Sequence, residues 1–177
     1  MKITNNKVEN LRVTSSHVVD QMMKHVMLER GNTILEPSAG NGDLLDHIIF
    51  GYYLCNDIDC IELNEERRKV LQSKNYNVIG TDFLKFESNK KYDWIIAAPN
   101  SINSYDVDHV MQMYKFVKPE GTIVSLMDPI WMIGERSRHK KFRKWIADKN
   151  YKIVMLEDNS FIENFKTRPT IIIVIKK

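Results

Sequence analysis

Three carboxylates, Glu36, Glu62 and Asp82, each follow a short strand-like run, and the first opens into the small-residue turn Pro37-Ser38-Ala39-Gly40-Asn41-Gly42. Glycine is needed where a chain leaves a buried strand through φ > 0 or lets a ligand come close to backbone, and Gly40 and Gly42 supply it. A helix starting at Asp43 would then aim its free amides at a polar ligand. The acid selects which ligand. Glu36 would repel a pyrophosphate and attract the ammonium and sulfonium of S-adenosylmethionine (SAM). The dinucleotide fingerprint asks for a third glycine where this chain has Leu45, and a phosphate loop asks for Gly-Lys-Ser/Thr after the turn, which is absent.

Glu62, roughly twenty residues past the turn, can accept two hydrogen bonds from ribose hydroxyls. Asp82 can accept from an adenine amino group while Phe83 packs on the base. Alone, a glycine turn is often only a turn and a Glu only a solvated side chain. Three such pieces on successive strand ends describe one site, because open α/β sheets bind ligands outside the carboxyl ends of their strands.

The elements that must position these groups follow from periodicity. Val18, Val19, Met22, Met23, Val26 and Met27 recur at helical spacing over 16–28, with Thr14 or Ser15 as N-cap. Strands are expected at 33–36, 57–62, 77–80 and 92–97, alternating with helices at 43–50 and 65–74, which implies a parallel sheet covered on both faces. A helix over 107–116, a Pro-Gly turn at Lys118-Pro119-Glu120-Gly121 and a strand over 122–127 come next. A basic helix around 137–149 precedes two last strands, near 151–156 and 170–175, and the run Ile171-Ile172-Ile173-Val174-Ile175 in the second reads as fully buried, as a central strand is.

The 177 residues, 43% hydrophobic, suit one domain over 1–177 with 1–30 as a leading segment and helix. Cys55 and Cys60 lack a second pair, so neither a disulfide framework nor a zinc site is expected. His17, His25, His47, His109 and His139 show no metal-ligand spacing, and no Gly-x-Ser-x-Gly elbow occurs. No apolar run reaches membrane length and the N-terminus has no h-region, so a cytoplasmic protein is expected. A formal net charge of 26 − 23 = +3 does not by itself argue for nucleic acid.

With these residues in view, the chain resembles SAM-dependent methyltransferases of the Rossmann-like class, and in detail the small phage and prophage adenine-specific DNA methyltransferases. Val13-Thr14-Ser15, Leu35 to Gly42, Ile61-Glu62-Leu63-Asn64, Gly80-Thr81-Asp82-Phe83, Lys91 to Pro99, Val117 to Gly121, and Ser160-Phe161 with Phe165-Lys166-Thr167 carry the similarity over nearly the whole length. It implies a three-layer α/β fold with a seven-stranded, mostly parallel sheet in the order 3-2-1-4-5-7-6, strand seven antiparallel. The implied cofactor site is Thr14, Glu36 to Gly42, Glu62, Leu63, Asp82 and Phe83.

The departure lies at the chemistry. Where the family carries Asn or Asp, Pro, Pro, and Tyr or Phe after the fourth strand, this chain has Ala98-Pro99-Asn100-Ser101. In the family the first side chain accepts from the target amino group and the aromatic stacks on a flipped base. Ala98 cannot accept and Ser101 cannot stack, so ordinary adenine methylation should be severely weakened. Three readings stay open: Asn100 or Ser101 supplies the acceptor, another atom is methylated by approximation alone, or SAM is bound without turnover, leaving a silent module for nucleic acid or a partner protein. Asp128-Pro129-Ile130-Trp131 imitates the signature of RNA adenine methyltransferases but follows the fifth strand, where Asp128 is a substrate contact or simply an N-cap.

Arg136, Arg138, Lys140, Lys141, Arg143, Lys144 and Lys149 make the outer side of the late helix basic, with Phe142, Trp145 and Ile146 facing inward. Such a side is usually only solvated; the functional alternative is a track for a phosphate backbone in DNA or RNA. Target recognition would come from the loops at 99–106, 129–137 and 158–169, where Arg168 could reach a phosphate, or from a partner.

Overall fold

The computed structural model describes residues 16–52, 57–156, 162–163, 166–167 and 169–177. Expectations placed on Val13, Thr14, Ser15, Cys55, Ser160, Phe161, Phe165 and Arg168 lie outside the described residues.

In chain order the main elements are α1 (Ser16–Met23), β1 (Thr33–Glu36), α2 (Asp43–Tyr52), β2 (Asp57–Ile61), α3 (Glu65–Ser73) and β3 (Asn77–Gly80). They are followed by β4 (Tyr92–Ala97), α4 (Tyr105–Phe116), β5 (Val117–Met127), α5 (Ser137–Ile146), β6 (Asn150–Met155) and β7 (Ile171–Lys176). Short 3₁₀ turns occupy Phe83–Lys85, Ile102–Ser104 and Pro129–Met132. A small antiparallel ladder pairs Ile162–Glu163 with Lys166–Thr167 outside the main sheet.

The seven main strands form one sheet in the order β3-β2-β1-β4-β5-β7-β6. Pairing is parallel from β3 across to β5, and β7 runs antiparallel to both of its neighbours, β5 and β6. Its apolar run explains that central place, since successive side chains of a strand point to opposite faces. Ile171, Ile173 and Ile175 join Val107, Val110 and Met113 of α4 and Phe142 and Ile146 of α5. Ile172 and Val174 join Val18, Val19 and Met22 of α1 and Leu44 and Ile48 of α2. Ile34/Leu35 on β1 and Ile95/Ile96 on β4 divide between the same two layers. Each fully buried Ile or Leu contributes about 1.5–3 kcal/mol of apolar transfer free energy.

The Pro-Gly turn at Lys118–Gly121 is an excursion within β5. Tyr92 pairs with Val117 but Trp94 pairs with Thr122, so the intervening residues bulge out of the ladder. The left-handed residue is Glu120, at φ 63°. Gly121 is pressed against β4, where a Cβ would lie 2.9 Å from the Asp93 carbonyl oxygen.

Carboxylates elsewhere in the sheet, buried Asp59 and half-buried Asp93, are satisfied. Asp59 on β2 accepts from the Asn77 amide at 2.6 Å and the Tyr92 hydroxyl at 2.7 Å, and meets Lys90 Nζ at 2.8 Å. Asp93 on β4 accepts from both Thr33 N and Thr33 Oγ1 at 2.8 Å and from Lys118. The contrast with the opposite edge of the sheet locates the site.

Candidate functional site

Glu36 ends β1 and is 1% exposed, yet its Oε2 has no hydrogen-bond partner. Two residues on, the Ser38 hydroxyl is likewise buried and unpartnered. Native structures leave few such atoms without a partner, be it protein, water or ligand. Burial, helped by the neighbouring Glu62 and Asp43 charges, holds the Glu36 carboxyl well above the ordinary carboxylate range. Among the described residues no cation pairs with Glu36 to offset that burial.

The turn behind it is shaped by two glycines with different duties. Gly40 has φ 56° and a Cβ there would meet nothing within 4 Å, so its backbone borders open space. Gly42 has φ 90° and is packed, with a Cβ falling 2.9 Å from the Tyr76 ring and 3.0 Å from Leu71. Glu62, just past β2 and 6% exposed, clamps this turn. One carboxylate oxygen accepts from Gly40 N and the other from Asn64 N, both at 2.8 Å. A carboxylate has about four lone-pair sites, so two remain for a ligand's hydroxyls. Leu63, beside it, is 68% exposed and offers an apolar surface at the mouth.

Asp82 follows β3 as the cap of a 3₁₀ turn, accepting from Leu84 N at 3.1 Å and pairing with Lys85 at 3.0 Å, partners that keep its carboxyl below the usual range. Phe83, expected to pack on a base, is turned into the core. Its ring is 3% exposed and lies against His109 and Phe116 at 5.5 and 5.8 Å, since the turn that exposes Leu84 rotates Phe83 into the core. His109 is held neutral by burial, its titration lowered to about 4.

Ala98 and Pro99 leave β4 at the same edge, one strand from Glu36. Asn100 Oδ1 accepts from Ile102 N at 2.9 Å, so the carbonyl best suited to receive an amino group is engaged within its own loop. Asn103 and Ser104 follow at φ 54° and 60°, two successive left-handed residues without glycine. The head of α5 holds them there. Ser104 Oγ and His139 Nε2 are 2.6 Å apart in a buried pair, and Arg138 donates to Asn103 O at 2.5 Å while pairing with Asp108 and lying over the Tyr105 ring. Asp106, whose titration burial raises to about 6, accepts from Asp128 N across the gap to the β5 loop. Asp128 itself caps Ile130 N, the N-cap role of the two considered for it.

Sequence reasoning missed this clamp, and only the Asn103-Ser104 dipeptide, tolerant of left-handed turns, hinted at it. Gly134 makes it possible: a Cβ there would stand 1.9 Å from His139 Nδ1 and 2.8 Å from Ile130 O. Gly134→Ala is accordingly expected to cost about 2–3 kcal/mol through overpacking, lowering the thermal midpoint by about 5–10 °C. Thermal denaturation followed by circular dichroism checks this, and an unchanged midpoint would show that the His139 contact yields easily.

No protein-family model matches the chain. The curated rRNA adenine N-6-methyltransferase of Limosilactobacillus reuteri is 28% identical to it over a match covering 52% of this chain and 39% of that enzyme. Among solved structures, the type I restriction-modification system methyltransferase subunit from Streptococcus thermophilus superposes with a TM-score of 0.77 at 15% identity, covering 94% of this chain and 45% of that one. The plantazolicin methyltransferase BpumL in complex with SAH superposes with a TM-score of 0.61 at 16% identity, covering 90% and 80%. The fold is the Rossmann-like methyltransferase fold. The chain spans less than half the length of the first two proteins.

On this methyltransferase fold, α5 presents fewer free cations than its sequence suggests. Arg143 donates to the carbonyls of Trp131 and Gly134 at 2.6 and 2.7 Å, and Lys149 lies over the Trp145 and Tyr114 rings. Arg138 is engaged as above, and Lys140 pairs with Glu135 at 2.8 Å. Arg136, Lys141 and Lys144 remain outward and exposed. Inward, His139, Phe142 and Ile146 are buried. Among the described residues no group of His, Cys, Asp and Glu could hold a metal ion, and no helix is long and apolar enough to cross a membrane.

Proposed function

We propose that the protein binds SAM in the crevice outside β1 and β2 and acts as a methyltransferase on an amino group of nucleic acid. The observation that carries the reading is the orphaned Glu36 carboxyl beside the open Gly40 backbone, with Glu62 holding the turn from the next strand. The residues fit the cofactor: Glu36 and Ser38 lack partners, Glu62 has acceptor capacity for ribose, Leu63 gives an apolar surface, and Asp82 an acceptor for an adenine amino group. When bound, SAM supplies an electrophilic methyl group on a sulfonium. The chain's own contribution is to hold that cation against Glu36, keep the ribose fixed through Glu62, and bring the acceptor to the end of β4 at Ala98.

Titration calorimetry with SAM and with SAH tests this directly: both ligands are expected to bind, and no heat with either would discard the reading. The rRNA adenine methyltransferase and restriction-modification relatives support nucleic acid as the acceptor class, as do the outward Arg136, Lys141 and Lys144.

Electrostatic tracking of phosphates predicts a salt signature. Anisotropy of a labelled single-stranded oligonucleotide is expected to show affinity falling as salt rises. In Lys141→Glu/Lys144→Glu the log–log salt slope should shrink by about 1.4, two phosphate contacts at about 0.7 each. A slope that does not move would make α5 merely a wet helix.

One observation favours a second reading, a silent module that retains the fold. Ala98 has no side-chain acceptor, and the nearest amide carbonyl, Asn100 Oδ1, already receives Ile102 N.

A further inference from the structure

Glu36 and Asp59 are equally buried, at 1% exposure, and their environments are opposite. Asp59 has two hydrogen-bond donors and a lysine ammonium around it. Glu36 Oε2 has nothing. Among the described residues, the groups that act on Glu36 are negative or neutral: Glu62 past the end of β2, Asp43 at the head of α2, the Cys60 thiol on β2, and the Tyr76 phenol beyond α3. The Cys60 thiol, in the same enclosure, is pushed up to about 12, chiefly by burial. Arg67 stands 3.9 Å from Glu62. An enclosure of this kind cannot hold two carboxylate charges cheaply, and Glu62 already accepts two backbone N–H bonds.

We propose that Glu36 carries a proton in the SAM-free protein and releases it to solvent as SAM enters, so that one cofactor cation replaces one carboxyl proton. This rests on the SAM-binding reading above. The exchange is balanced: Glu36–COOH and the SAM cation become a Glu36 carboxylate paired with that cation, and the proton passes to buffer. No bond to carbon or sulfur changes. The device acts as a selectivity filter. A cation recovers the cost of ionising Glu36, a neutral nucleoside meets an uncharged acid, and a nucleotide phosphate would confront the acids with no cation to offset it.

The test is calorimetry of SAM binding to the whole chain at pH 6.0, below the ordinary range of the ligand's α-amino group at about 7.7–8.0, in MES and in imidazole, two buffers of different ionisation enthalpy. For the wild type the apparent enthalpies should differ by the amount that corresponds to about one proton released, and affinity should tighten by up to about tenfold per pH unit on raising the pH. Glu36→Gln, close in shape and uncharged, should bind SAM more weakly, with buffer-independent enthalpy and pH-independent affinity. Wild-type binding with the same enthalpy in both buffers would overturn the proposal while leaving SAM binding intact. Proton release that persists in Glu36→Gln would also overturn it, assigning the proton to another group. An absence of binding in the wild type would remove both this proposal and the reading beneath it. The wild-type buffer comparison decides the matter even if Glu36→Gln does not fold.

Discussion

Glu62→Ala is expected to weaken SAM binding by about 100-fold or more while leaving a folded protein. The size follows from what the carboxylate does. Hydrogen bonds to a charged acceptor are worth about 1.5–3 kcal/mol each, and loss of two from ribose hydroxyls amounts to about 3 kcal/mol, or two powers of ten in affinity. The substitution also frees Gly40 N and Asn64 N, each now held at 2.8 Å, so the turn loses the tie that keeps Gly40 at φ 56°. Glu62→Gln should fall between, because its amide nitrogen must face one of those two N–H donors and only its oxygen can still accept. Glu66→Ala serves as the control: Glu66 is largely exposed on α3 and pairs with Lys69 on the solvent side. Calorimetry that finds Glu62→Ala within about threefold of the wild type would remove Glu62 from the cofactor site.

The second large effect concerns the acceptor. Ala98→Asn/Asn100→Pro/Ser101→Phe is expected to raise methyl transfer from radiolabelled SAM to adenine-containing DNA or RNA by at least about 100-fold, the usual worth of one preorganised catalytic hydrogen-bonding group. The amino nitrogen's lone pair is delocalised into the base, and a side-chain carbonyl at position 98 would accept from that amino group as it attacks the methyl. Proline at 100 also removes the Asn100–Ile102 hydrogen bond that ties the loop to itself. The ring at 101 supplies a surface for an extruded base. If only the restored protein turns over, the silent-module reading stands. If the wild type already matches it, the acceptor chemistry does not depend on position 98. The Ser104–His139 pair should persist in both proteins, because it lies beyond the substituted residues and is anchored from α5.

How far the site could be read from residues alone varied from one position to the next. The order of acids on successive strand ends was legible, since parallel strands bring their carboxyl ends to one edge whatever the details of packing. The two glycines were legible too, although Gly42 turned out to be shaped by Tyr76 and Leu71 rather than by open space. The direction of Phe83 was not legible, because a three-residue 3₁₀ turn after Asp82 rotates it inward, and such turns leave no periodic trace. Nor could a count of lysines and arginines distinguish Arg143, bonded to two backbone carbonyls, from Lys141 on the open side of the same helix.

The amino-acid sequence by itself determined the alternation of strands and helices, the central place of the Ile171–Ile175 run, and the residues that meet at the mouth of the sheet. Those properties rest on local periodicity and on chain-order rules, which are written residue by residue. Only the tertiary structure decided the burial of Glu36 with an unpartnered oxygen, the grip of Glu62 on the Gly40 turn, and the junction of Ser104 with His139, 35 positions apart. These depend on how completely distant segments exclude water and which polar atoms they leave facing one another. Desolvation and pairing across the fold have no local signature.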